Sequence, residues 1–121
     1  MNVPKDLLYS KTHKWVKRDG DLTYVGITDY AAKQLGMLMF ASLPEEGRQL
    51  KQGETFAELE SVKTLNELDS PVNGIVEKIN EVVFETPEVL NADAYGNWIC
   101  AVRNAESEGL LTAEEYEKLL K

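Results

Sequence analysis

Within AELESVKTLNELDSP, residues 57–71, a single lysine, Lys63, stands where one strand-like run ends, with Glu60 and Glu67 on either side. A lysine amine can act as a nucleophile or accept an acyl group, but only in its neutral form. Thr55–Glu60 reads as a strand and Leu65–Asp69 as its returning partner. The connection Ser61-Val62-Lys63-Thr64 is a common hairpin length, often built on a type I turn. At such a tip the amine is hydrated and almost wholly protonated at pH 7. Lys63 is thus a poor catalytic group but an accessible one for another enzyme to modify. On composition alone, an ordinary surface lysine is the default.

Other candidates for chemistry are sparse. The one histidine, His13, has no cysteine nearby and no carboxylate at ligand spacing, so it suits packing or the lining of a cleft better than zinc. The one cysteine, Cys100, cannot form an internal disulfide, and its flanks in WICAV suggest a buried strand and an inert thiol. There is no glycine-rich phosphate loop and no Ser-His-Asp arrangement, so independent catalysis is not expected.

The elements that must hold Lys63 follow from dense punctuation. DGD at 19–21, Gly26, Gly36, PEEG at 44–47, Gly53, Pro71 with Gly74, Pro87 and Gly96 separate short runs of β-branched, aromatic and aliphatic residues. The runs Lys14–Lys17, Leu22–Ile27, Leu38–Leu43, Thr55–Glu60, Gly74–Ile79 and Trp98–Arg103 predict a mostly β sandwich or barrel. Three helical pieces interrupt it. Thr28 or Asp29 can cap YAAKQL, with Gly36 closing it. Thr86 with Pro87 predicts a second helix start. Thr112-Ala-Glu-Glu115 forms a capping box before a stripe of Tyr116, Leu119 and Leu120. The aromatics Trp15, Tyr24, Phe40, Phe56, Phe84 and Trp98 are expected in the core or at an interface.

At 121 residues the chain reads as one domain, 1–121, able to bury a single core. Its 13 basic and 21 acidic residues give a formal charge of −8, which repels phosphate backbones and anionic lipid, so neither nucleic acid nor membrane is an expected partner. No run approaches the roughly 20 apolar residues of a spanning helix, and the start, MNVPKDLLYSK, lacks the features of a signal or transit peptide. A cytoplasmic, bacterial protein is the expectation, and a monomer.

A longer pattern changes the standing of Lys63. The stretch YSKTHKWVKRDGDLTYVGITDYAAKQLG, then LPEEGRQLKQGETFAELESVKTLNELDSPVNG, resembles the H proteins of the glycine cleavage system. The similarity continues through NADAYGNWI to LLTAEEYEKLL, and VGITDYA, ESVK and SPVNG are its most specific pieces. The resemblance implies a barrel-sandwich hybrid of two packed antiparallel sheets, with lipoate in amide linkage on Lys63. It implies a carrier and not an enzyme: glycine decarboxylase loads an aminomethyl group on the lipoyl arm, aminomethyltransferase removes the carbon, and dihydrolipoyl dehydrogenase reoxidises the dithiol. A lipoate ligase or lipoyltransferase would attach the group, recognising the turn through Glu60, Ser61, Val62 and Thr64. Val62 and Thr64 around the lysine separate this tip from biotin carriers, which usually place methionine beside it, and from 2-oxoacid dehydrogenase lipoyl domains, which usually read Asp-Lys-Ala.

The departures are specific. Related H proteins commonly read His-Glu-Trp where this chain has His13-Lys14-Trp15, and that glutamate lies near the cleft sheltering the aminomethylated arm. Lys14 reverses the sign there, an effect on the order of 4 kcal/mol for unit charges about 4 Å apart at an effective dielectric near 20, before screening. Glu67 stands for the usual aspartate, so the expected arm cleft comprises His13, Lys14 and Glu67. Met37 and Ser42 replace residues that are usually acidic, thinning the acidic docking face. Two roles therefore stand open: glycine cleavage, or an H-like carrier that relays lipoyl groups to 2-oxoacid dehydrogenases or is a regulated redox or modification target.

Overall fold

The computed structural model describes residues 2–121. Nine strands form two antiparallel sheets: β1 (Leu8–Tyr9), β2 (Lys14–Asp19), β3 (Leu22–Ile27), β4 (Leu38–Ser42), β5 (Gln49–Leu50), β6 (Thr55–Ser61), β7 (Leu65–Asp69), β8 (Asn73–Ile79) and β9 (Cys100–Glu106). The larger sheet runs β1-β2-β3-β9-β8-β5 and the smaller β4-β6-β7. Both sheets turn apolar residues inward. Val25, Ile27, Leu38, Phe56, Leu59, Val76 and Val102 are among those that fill the space between the sheets. This is the barrel-sandwich arrangement expected, with two short strands, β1 and β5, that propensity did not signal. Two-residue strands carry no alternation to detect.

Among the described residues four short helices close the ends. Helix α1 (Asp29–Leu35) is capped by Thr28, whose side chain accepts from Ala31 N–H, and stops at Gly36, where φ is 79°. That left-handed geometry is one an L side chain rarely adopts, so Gly36 ends the helix and turns the chain into β4. The helix expected to start at Thr86–Pro87 begins two residues later, and another precedes it. Helix α2 (Glu81–Glu85) is capped by Asn80, and Thr86 terminates it by donating its N–H to Val82 C=O at 2.8 Å. Helix α3 (Val89–Ala92) begins only after Pro87. Val82, Val83 and Phe84 are weak helix formers, so burial of Val83 outweighs propensity at α2.

Helix α4 (Ala113–Leu119) carries the capping box, with both reciprocal bonds between Thr112 and Glu115. Ala113 and Tyr116 face a second cluster with Leu7, Tyr9 and Trp15. Leu120 joins this stripe, whereas Leu119 falls to its edge and is exposed, a correction to the expected packing. Phe40 and Phe84 likewise stand out of the core, at 62 and 58 % exposure, while Trp15 and Phe56 are buried and Tyr24 and Trp98 half-buried. Cys100 lies fully buried in β9, and burial pushes its thiol pKa up to about 12, far from reactive at neutral pH.

Gly26 explains part of the VGITDYA motif. It pairs with Trp15 across β2 and β3, and the indole lies flat against its Cα, where any Cβ would overlap the ring. The indole N–H in turn donates to Ala94 C=O at 3.1 Å. Gly26→Ala should therefore displace Trp15 and lower stability by about 2 kcal/mol. Urea denaturation followed by tryptophan fluorescence would check this, and a change under 0.5 kcal/mol would mean that the indole has room to move.

Among the described residues no helix is long and apolar enough to cross a membrane, and no group of three His, Cys, Asp or Glu side chains could hold a metal ion.

Candidate functional site

Lys63 occupies the end of the β6–β7 hairpin. The strands close at Ser61 and reopen at Leu65, so the loop is Val62-Lys63-Thr64, with Ser61 belonging to β6 rather than to the loop. Ser61 N–H donates to Thr64 C=O at 2.9 Å. The buried Ser61 hydroxyl accepts from the N–H groups of Lys63 and Thr64, both at 3.2 Å, and so satisfies loop donors that the ladder cannot reach. A further bond, Val62 N–H to Met37 C=O at 3.2 Å, ties the tip to the segment between α1 and β4. Val62, Lys63 and Thr64 are exposed on this braced turn. The lysine does not stand wholly clear of the chain: a methyl group on Gly36 would lie 3.7 Å from its Cε and 3.8 Å from its Nζ. The amine leans over the C-terminal end of α1 while remaining open to solvent.

Between α1, β7 and the start of β2 lies a cleft of about 190 Å³ whose walls include His13, Lys14, Tyr30, Leu35 and Glu67. The fold thus brings together the three residues expected there, but it commits their polar groups elsewhere. Lys14 is only 5 % exposed. Its ammonium donates to Asp69 Oδ1 at 2.7 Å and to Thr12 C=O at 2.9 Å. The Glu67 carboxylate accepts from the Thr55 hydroxyl at 3.0 Å, across the hairpin, and makes no ion pair with Lys14. Lys14 is therefore not a free cation in the cleft, as its position in the sequence suggested; it is neutralised by a carboxylate two residues beyond Glu67.

Asp69 was not legible as a site residue. Its spacing from Glu67 offered a faint signal, since i and i+2 share a strand face, but only the meeting of β7 with the start of β2 makes it the partner. The second Asp69 oxygen accepts from Thr12 Oγ1 at 2.8 Å. Burial alone raises the Asp69 pKa; hydrogen bonds from Lys14 and Thr12 and the Lys14 charge outweigh it, and the group titrates below the usual carboxylate range.

His13 has φ of 72°, a left-handed conformation uncommon for a residue with a Cβ. Its Nδ1 lies 2.8 Å from the Tyr116 hydroxyl, which is also 2.8 Å from Thr28 Oγ1. Tyr116 stacks on Tyr9 with centroids 4.7 Å apart, and His13 lies 4.6 Å from the Tyr30 ring. The C-terminal helix is thereby fastened to the floor of the cleft, a contact between residues 103 positions apart that no local pattern predicts. Desolvation, then the Lys14 charge, push the His13 pKa below its ordinary value despite an opposing effect of Asp69.

A histidine harder to protonate folded than unfolded takes up protons on unfolding, so its stabilising effect is complete above the unfolded pKa of about 6.5 and declines as pH falls below it. Thermal melts from pH 7.5 to 5.5 should show a falling midpoint in the wild type and a flatter profile in His13→Asn, a residue that tolerates the same φ. Parallel profiles would mean that His13 titrates normally.

Comparison with known proteins agrees with this geometry. The family model described as glycine cleavage H-protein matches residues 7–121. A protein named glycine cleavage system H protein from Carboxydothermus hydrogenoformans is 46 % identical, covering 98 % of this chain and 94 % of its own. Its namesake from Rubrobacter xylanophilus is 44 % identical over the same shares. The crystal structure of a glycine cleavage system H protein from Mycobacterium marinum superposes with a TM-score of 0.90 at 35 % identity, covering 96 % of this chain and 97 % of that one. With a braced lysine hairpin on a barrel-sandwich scaffold and relatives matched over nearly their whole length, the chain belongs to the glycine cleavage H-protein family.

Proposed function

We propose that the chain is the lipoyl-carrying shuttle of the glycine cleavage system, taking the aminomethyl group from glycine decarboxylase to aminomethyltransferase, with the lipoyl group in amide linkage on Lys63. Dihydrolipoyl dehydrogenase would be the third partner, and a lipoate ligase or lipoyltransferase the modifying enzyme, in the cytoplasm. The observation that carries the reading is the exposed Lys63 amine on a turn held by the buried Ser61 hydroxyl. Modification needs that pairing of accessibility and fixed shape. Lys63 Nζ, once deprotonated, attacks an activated carboxyl; an amide bond forms, and the activating group and the amine proton leave. The residues fit the group, because the loop sits at the end of its sheet and, among the described residues, no ion pair holds the amine. When bound, the dithiolane supplies reversible thiol–disulfide exchange, which is where the chemistry resides.

Glu60 belongs to the recognition surface. It is exposed on β6 just before the loop and makes no ion pair among the described residues. Glu60→Ala should slow ligase-dependent lipoylation several-fold while changing stability by less than about 0.5 kcal/mol. Equal rates would remove Glu60 from the site.

Reconstitution tests the whole reading. Lipoylated chain should support glycine–bicarbonate exchange by glycine decarboxylase, and Lys63→Arg should not. A second reading rests on Lys14, which puts a cation paired with Asp69 in the cleft wall and leaves Glu67 as the carboxylate lining it. It is an H-like carrier that relays lipoyl groups to 2-oxoacid dehydrogenases. Lipoylated chain inert with glycine decarboxylase but competent to donate its lipoyl group to an apo 2-oxoacid dehydrogenase domain would favour this alternative.

A further inference from the structure

The outer face of the β4-β6-β7 sheet has an unusual composition where it meets the Lys63 loop. Phe40, Glu60 and Leu65 are register partners across the three strands, so their side chains form one outward row. The neighbouring positions Leu38, Leu59 and Ser61 turn inward and are buried. Ser42, Glu58 and Glu67 make the next outward row, which is polar. Met39 stands at the bulge between Leu38 and Phe40, Met37 is joined to Val62 by a backbone bond, and Val62 is the residue before Lys63. Met37, Met39, Phe40, Val62 and Leu65 are 49–63 % exposed. On a chain of formal charge −8, this end of the sheet is an apolar collar carrying one carboxylate, Glu60.

We infer that this collar is the docking surface for the enzyme that acylates Lys63, and that the partner's cleft is rimmed by apolar side chains with a single basic group opposite Glu60. The inference rests on Lys63 as the acylated residue. Three observations choose this occupant over others. An enzyme that closes on Lys63 must cover Val62 and the ends of β4 and β7, since the loop is three residues long and tied to Met37. Exposed methionines beside a phenylalanine give an adaptable contact that accommodates different partner surfaces. The lone carboxylate at the centre of the row sets register, while the apolar neighbours exclude water around it. Docking of this kind depends on buried apolar area and only weakly on ionic strength.

The test is steady-state acylation by a lipoate ligase with lipoate and ATP, with the full chain as varied substrate. For the Met39→Ser/Phe40→Ser double variant the KM for the chain should rise about tenfold or more, with kcat within about twofold and an unchanged melting midpoint. Phe84→Ser, which removes an equally exposed ring on α2, should leave both constants unaltered. The wild-type KM should change less than threefold between low and high salt. Acylation at Lys63 with equal KM in the double variant overturns the docking surface alone. So does sedimentation showing a wild-type dimer that the double variant converts to monomer, for the collar then faces a second copy. Acylation of the wild type at another lysine overturns the reading of Lys63 and this surface with it.

Discussion

Lys14→Glu should lower stability by about 3 kcal/mol and the melting midpoint by about 10 °C, a large effect for one substitution in a chain of this length. The Lys14 side chain is 6 % exposed, and its ammonium has two partners, Asp69 Oδ1 and Thr12 C=O. A glutamate would face the Asp69 carboxylate and leave the Thr12 carbonyl without its donor. Asp69 is about one-third exposed, so water softens the repulsion and holds the cost to the lower part of the range for a broken buried pair. Lys14→Met, which removes the cation without adding an anion, should cost about 2 kcal/mol.

The pH dependence distinguishes this pair from simple misfit. Asp69 is held below its ordinary pKa, so in the wild type its contribution is present above the unfolded carboxylate value near 3.9 and is lost as pH falls through the lower folded value. In Lys14→Glu the two carboxylates oppose each other's ionisation, so the variant's deficit should shrink between about pH 6 and 4 as one of them takes a proton. Denaturant melts of both chains across that range measure it. A deficit under 0.5 kcal/mol at every pH would contradict the ion pair. The result also bears on the cleft: because Lys14 is neutralised within the fold, its reversal perturbs the scaffold before it can change the field felt by a bound arm.

The second large effect falls on modification and not on stability. Lys63→Arg keeps the positive charge on an exposed loop, so stability should change by less than about 0.5 kcal/mol, but a guanidinium that never deprotonates near neutral pH cannot form the amide. Lipoylation should fall below detection. Moving the amine one place, in Lys63→Thr combined with Thr64→Lys, retains composition and charge while displacing the amine from the crest of the turn. Because the Ser61 hydroxyl fixes the N–H groups of both positions, the loop should retain its shape and the displaced amine should be acylated at least tenfold more slowly. Full acylation of this double variant would show that the turn does not position the amine.

The hairpin was legible because three local signals coincide there: alternating apolar residues, a short polar loop and a returning strand. The caps at Thr28 and Thr112 were legible for the same reason, since capping is decided within four residues. The site's electrostatics were not. Lys14 and Asp69 are 55 residues apart, and His13 and Tyr116 are 103 apart. Nothing in either neighbourhood names its partner; β2 meets β7, and α4 meets the β2 entrance, only when the sheets close. The helix missed before Thr86 has a different origin. Helix α2 rests on the cap at Asn80 and on burial of Val83 against local propensity, and α3 still begins just after Pro87. Phe40 and Phe84 were expected in the core or at an interface, as aromatic residues in strand-like runs usually are; both lie outside the core, and the exposure of Phe40 is what draws attention to the collar beside Lys63.

Intact mass spectrometry of the full chain after incubation with lipoate, ATP and a lipoate ligase, followed by peptide mapping, tests the role of Lys63 most directly. The expected result is one added lipoyl group per chain, on the peptide containing Lys63, and none on Lys63→Arg. A wild-type chain that gains no mass under conditions that fully lipoylate a control H protein, or an adduct mapped to any other lysine, would contradict it.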